Sequence, residues 1–157
     1  MIGKIEQWIH QVNSSHKKVR QSCSFFDGYF KGFYSPGFLE TAFFVVTNEI
    51  PKLDFPELRE AGLGGFIDMD VSGITYNDTY YVKQGAANVL RLHFHELVHV
   101  IQWRELTPQG FIERYMREIQ DFGYDEAPLE KMAYALDGHY QKKGRHLSVE
   151  QFVRENI

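Results

Sequence analysis

The sequence predicts an α+β fold in which a small sheet packs on one buried helix, and three observations carry that expectation. Residues 88–104 contain no Pro or Gly after Asn88, and Val89, Leu90, Leu92, Phe94, Leu97, Val98, Val100 and Ile101 would place apolar side chains almost all round a helix. Short β-rich runs at 42–47, 66–71 and 74–82 precede it. Helical patterns at 108–121 and 128–140 follow it and would close the far side.

Taken in order, Ile2, Ile5, Ile9 and Val12 recur at helical spacing, and the pattern stops near Asn13-Ser14-Ser15. Phe25, Phe26, Tyr29, Phe30, Phe33 and Tyr34 then crowd among Gly28, Gly32 and Gly37, a stretch too rich in glycine for a regular helix. Such aromatics fill a core or wall a cleft. Ala42 to Val46 is a short strand, and Pro51 to Glu60 reads as a turn and a short helix. Gly62, Gly64 and Gly65 mark a turn without the surroundings of a phosphate-binding loop. Phe66 to Val71 partly alternates, while Ile74-Thr75-Tyr76 and Thr79 to Val82 are joined by Asn77-Asp78 as a hairpin. Asn88 is placed to cap the central helix. Thr107 and Pro108 would start the next one, lined on one side by Phe111, Ile112, Tyr115, Met116 and Ile119 and ended by Gly123. Pro128 suits the first turn of another, with Asp125 or Glu126 placed to cap it or to favour its dipole. Ser148 and Gln151 have the spacing of a capping box for a last helix.

At 157 residues, 43% hydrophobic and 15% aromatic, the chain suits a single domain spanning 1–157. A net charge of -4 without a clustered basic run argues against nucleic acid or an anionic membrane as partner. Cys23 is the only cysteine, so no intrachain disulfide forms. Met1 to Val12 is interrupted by Lys4, Glu6 and His10, and no apolar run resembles a signal or membrane segment. A cytoplasmic location is the expectation.

The chemistry concentrates in His95-Glu96-Leu97-Val98-His99. Two imidazoles four residues apart stack on one helix face and can hold one Zn²⁺, while Glu96 sits about 100° round, able to take a proton from water without becoming a ligand. The alternative is a pair of core histidines satisfied by backbone groups. Gln102 and Glu105 stand where a metzincin needs Gly and His, so the third ligand must lie elsewhere. Glu130, on the helix that Pro128 begins, is the best candidate, against the reading of a solvated surface Glu. Ala133, Tyr134 and Asp137 share its face. A small Ala lets two helices approach, Tyr134 can donate to an oxyanion, and Asp137 can orient a histidine.

His95 to Arg104, followed about thirty residues later by Pro128-Leu129-Glu130-Lys131-Met132-Ala133-Tyr134, resembles small, largely uncharacterised bacterial zincin-like metallopeptidases of the gluzincin kind. Their pattern is His-Glu-Leu-Val-His-Val-x-Gln, then Asn-Pro-x-Glu-x-Glu-Ala-Tyr. Ser72 to Val82 also looks like the strand and turn before the metal helix in that group, so the resemblance covers about residues 66 to 137. Ala127 stands in place of the usual Asn and Met132 in place of the second acid. The resemblance implies a zincin-like fold and hydrolysis of a peptide or protein substrate, with zinc on His95, His99 and Glu130 and Glu96 as general base.

An extended substrate would add to the segment Thr75 to Val82, making Thr75, Tyr76, Thr79 and Tyr80 candidate substrate-binding residues. The competing reading of that segment is a plain sheet edge. The competing function is a regulatory module that binds a partner protein and keeps zinc for structure. Such a site is more often closed by a fourth Cys or His, for which His93, His139 and His146 are the candidates, although His93 should face away from His95.

Overall fold

A computed structural model describes all 157 residues. Helix α1 (Ile2–Ser15) leads into a two-residue strand β1 (Gln21–Ser22), a 3₁₀ turn at Cys23–Phe26, a short helix α2 (Pro36–Glu40) and strand β2 (Phe43–Thr47). Two short helices follow, α3 (Pro56–Leu58) and α4 (Gly64–Asp68), then the hairpin β3 (Gly73–Tyr76) and β4 (Thr79–Lys83). The helices α5 (Leu90–Phe122), α6 (Pro128–Gln141) and α7 (Val149–Asn156) complete the α+β chain. No helix is long and apolar enough to cross a membrane.

The sheet order is β1-β2-β4-β3, with β2 and β4 parallel and the other pairs antiparallel. Because successive strand residues face opposite sides, β2 and β4 serve two cores at once. Phe44, Tyr80 and Val82 pack with Phe94, Leu97 and Val98 of α5, whereas Val45, Tyr76 and Tyr81 pack with Ile5 and Ile9 of α1. The sheet is therefore held between α1 and the first part of α5.

The aromatic stretch fills the first of these cores: Phe26, Phe30, Phe33, Tyr34 and Phe38 are buried, and Phe25 and Tyr29 face solvent. The expected strand at 66–71 does not form. Its start is α4, and the Phe66 and Ile67 carbonyls accept from Lys52 Nζ, at 2.9 and 3.3 Å. β2 and β4 each have a neighbour on both sides, so only the outer edges of β1 and β3 were open to another strand.

The two helices expected at 88–104 and 108–121 meet as arms of α5, bent at Thr107 (φ 64°, ψ 157°). The Thr107 hydroxyl accepts weakly from the Gly110 amide, at 3.4 Å, and Gly123 (φ 78°) ends the second arm. Asn88 is not the cap; Val89 takes that place and offers no side-chain acceptor. Nor do Asp125 and Glu126 cap α6. Its Leu129 amide instead donates to Glu118 Oε1 across from α5, at 2.8 Å. At α7 the box is half made: the Ser148 hydroxyl accepts from the Gln151 amide, but the Gln151 side chain turns to Glu155.

Candidate metal centre

The first arm of α5 supplies His95 and His99, one turn apart on the face toward α6, and α6 supplies Glu130. Ala133, fully buried one turn beyond Glu130, leaves room for the two helices to approach. His95 Nε2, His99 Nε2 and Glu130 Oε1 converge: the nitrogens lie 3.1 and 3.2 Å from the oxygen and 3.2 Å from each other. Three ligands held at 2.0–2.1 Å in a tetrahedral arrangement would stand about 3.3–3.4 Å apart. The buried trio thus has the spacing of a metal site.

The other ring nitrogens show why these three atoms are left facing one another. His95 Nδ1 lies 2.7 Å from Asp137 Oδ2; a carboxylate only accepts, so His95 carries its proton on Nδ1. Arg91 Nε donates to the second Asp137 oxygen at 2.6 Å. Gln102 Nε2 donates to the Leu129 carbonyl at 3.0 Å, which turns its own carbonyl toward His99 Nδ1 at 2.7 Å. In the neutral histidines both Nε2 atoms therefore point lone pairs at a carboxylate, an arrangement that only a cation makes favourable. The Tyr115 hydroxyl donates to Glu130 Oε2 at 2.6 Å and leaves Oε1 as the inward ligand atom.

The charge balance agrees. Burial opposes the charged form of His95, but its hydrogen bonds with Asp137 and Glu130 prevail and raise its pKa to about 10. Burial likewise works against charge on His99, and Glu130 reverses the outcome so that its pKa is raised. Burial would raise Glu130, yet the two histidines hold it well below the usual carboxylate range. The pocket is built to keep an anion beside positive charge.

Glu96 stands beside the trio without joining it. Its Oε2 lies 3.9 Å from His95 Nε2, and its Oε1 accepts from the Thr75 hydroxyl at 2.9 Å. Burial raises its pKa, which favours a group that both takes and returns a proton. Strand β3 presses directly on it: a Cβ on Gly73 would meet Glu96 Cγ and Cδ at 3.3 Å and Leu92 at 3.2 Å. Tyr134 stands at the mouth, its ring 4.4 Å from that of His95 and its hydroxyl 3.0 Å from that of Tyr124.

Two cavities flank the trio. One, about 410 Å³, is an open cleft lined by His95, Glu96, Tyr124, Tyr134 and Asp137. The other, about 110 Å³, is mostly apolar and reaches Glu96, His99 and Glu130 from the α1 side.

Of the four candidate substrate-binding residues, Thr75 and Tyr76 line the apolar cavity. Thr79 and Tyr80 do not reach either cavity. They lie on β4, an interior strand; the Thr79 hydroxyl bonds Asp78, and the fully buried Tyr80 hydroxyl bonds His93 Nδ1 at 2.7 Å. Thr75 and Tyr80 are cross-strand partners, so their hydroxyls meet α5 three residues apart, at Glu96 and His93. His93 faces the sheet, as its two-residue offset from His95 requires, and its Nε2 bonds the Ala87 carbonyl. His139 bonds the Arg145 carbonyl and His146 packs on Phe33, so neither closes the site. Tyr115, Tyr124 and Arg91 are site residues that the sequence did not single out, and Gln102 entered the reading only as a motif position with no role assigned. Gln102 alone carried a signal, its place three residues after His99.

Compared with known proteins, the chain matches no family model, no curated protein and no solved structure.

Proposed function

We propose that this chain is a zinc-dependent hydrolase that cuts peptide bonds, a zincin-like peptidase of the gluzincin kind. The observation that carries the reading is Glu96: a buried carboxylate that ligates nothing, held by Thr75 and Gly73 beside three converging ligand atoms. A zinc site kept for structure has no use for such a group and is commonly closed by a fourth protein ligand. Here each remaining histidine near the core has another partner.

His95, His99 and Glu130 would hold the ion and leave one position open. Zinc bound there would lower the pKa of a water from 15.7 toward about 7 and polarise a carbonyl. Glu96 takes the proton from the attacking water and returns it to the leaving amine, while Thr75 holds its carboxylate in place. Tyr134, with its hydroxyl oriented by Tyr124, donates to the oxyanion that develops on the carbonyl. The outer edge of β3 has no strand partner and runs along Glu96, which suits an extended peptide.

The test pairs metal content with cleavage of a broad peptide library. Glu96→Gln should retain one zinc per chain and lose at least about 10²-fold in kcat. His99→Ala should lose the metal. Full zinc occupancy in His99→Ala, or parental cleavage by Glu96→Gln, would sink the reading.

A further inference from the structure

The open cleft beside the trio has one Lys or Arg on its wall, Arg91, which lies one turn of α5 before His95 and on the same face. Its Nε donates to Asp137 Oδ1 at 2.6 Å, and Asp137 is itself fixed by His95 at 2.7 Å. Neither Nη atom bonds a group of the protein, and 48% of the side chain is exposed. Gly138, inside α6, puts no side chain over Nη2; a Cβ there would stand 3.6 Å from it. The carboxylates that share the cleft are already paired: Asp70 with Lys83, Glu96 with Thr75, and Asp137 with Arg91 and His95.

Geometry and charge narrow the occupant. With Nε held by a buried carboxylate, the two Nη atoms form the outer fork of a planar guanidinium whose orientation is set before anything binds. That fork takes a carboxylate in two parallel hydrogen bonds. A carboxamide offers one acceptor oxygen in place of two and no charge, and a cationic side chain would be repelled. From the point where the three ligand atoms converge, the route to the guanidinium crosses the His95 ring and two hydrogen bonds, of 2.7 and 2.6 Å. About two or three extended residues cover that span.

We propose that Arg91 binds a carboxylate of the substrate about two or three residues from the bond that is cut. The substrates are then peptides that carry a negative charge at that distance, an inference that rests on the hydrolase reading above. The charge comes from the free end of the peptide or from an acidic side chain within it. The first source makes the enzyme one that removes short C-terminal pieces, the second one that cuts near acidic residues.

Matched pairs of zinc-chelating probes, titrated calorimetrically into the zinc-loaded protein and into zinc-loaded Arg91→Met, separate this site from the hydrolysis. One pair is the malonyl hydroxamate of Ala-Gly as free acid and as amide, and a second ends instead in Ala-Glu amide or Ala-Gln amide. A third, acetyl-Glu-Ala and acetyl-Gln-Ala hydroxamate, extends to the other side of the metal. The parent should bind the charged member of one pair about tenfold more tightly, equivalent to about 1.4 kcal/mol, and the pair concerned identifies the source of the carboxylate. Arg91→Met should bind both members of that pair equally. If Arg91 served only to hold Asp137, its loss would weaken the charged and neutral members alike and leave their ratio unchanged. Equal binding within all three pairs, or a ratio that survives in Arg91→Met, overturns the carboxylate site and leaves the hydrolase reading intact. A preference that depends on Arg91, with no cleavage of any peptide, keeps the carboxylate site and removes the hydrolase.

Discussion

Asp137 and Gln102 do the same work on two different histidines: each accepts the Nδ1 proton and so aims Nε2 at Glu130. One is charged and backed by Arg91, the other neutral and backed by the Leu129 carbonyl. Removing either frees a ring to rotate or to change tautomer, and orienting groups of this kind are worth 10–100-fold in metal affinity. Asp137→Asn and Gln102→Leu should each weaken zinc binding by about that factor, measured by competition with a chromophoric chelator. Gln102→Leu should also cost stability, about 1–3 kcal/mol, because it leaves a buried N–H and a buried carbonyl unpaired. Unchanged zinc affinity in both variants would show that the rings are held by packing alone. Asp137 was legible in the sequence because it lies two turns beyond Glu130 on one helix face. Tyr115 and Glu118 were not, since their partners sit on α6, and nothing local in α5 shows that its second arm folds back beside that helix.

Elements with a strong period were readable, and those decided by a neighbour were not. The helix at 2–15, the two arms of α5, read as separate helices at 88–104 and 108–121, and the helix at 128–141 follow from apolar spacing and from Pro108, Gly123 and Pro128 at their ends. Phe66 to Val71 alternates enough to resemble a strand, but Lys52 takes its carbonyls and the sheet gives it no partner. Two positions test how tightly the elements are set. Gly73 lets β3 approach α5 where Glu96 needs Thr75, so Gly73→Ala should push strand and carboxylate apart by a few tenths of an ångström. It should lower kcat about tenfold or more with zinc content unchanged, and parental activity would show that the contact is soft. Thr107 holds a backbone conformation suited to glycine, a strain of about 1–3 kcal/mol at the bend of α5. Thr107→Gly should relieve more than the 0.5–1 kcal/mol that glycine's freedom costs, for a net gain of about 1 kcal/mol in denaturant unfolding. A loss instead would mean that the Gly110 hydrogen bond outweighs the strain.

Across the whole molecule, the candidate metal centre lies where α5, α6 and β3 meet, so its charge state bears on global stability. In the metal-free protein a proton substitutes for the ion. The pKa of His95 is about 10 when folded, against about 6.5 in the unfolded chain. A group raised in this way stabilises the fold fully below the unfolded value and loses its contribution as pH climbs toward the folded one. His99 and Glu96, both raised, act with the same sign, and Glu130, depressed, adds stability that is lost only in acid. Stability without metal should therefore fall steadily between about pH 6.5 and 10. Zinc at the proposed site would reverse the balance, because it would bind the deprotonated nitrogens and compete better as pH rises. Guanidinium unfolding at pH 6, 7.5 and 9 checks this, once with EDTA and once with excess zinc. The EDTA midpoints should fall across the series, and the gap between the zinc and EDTA midpoints should widen. A flat or rising EDTA series would mean that the folded chain leaves His95 neutral, and the charge balance argued for the trio would be wrong. Asp137→Asn is the control: without the carboxylate that holds the His95 proton, its EDTA series should be shallower than the parent's.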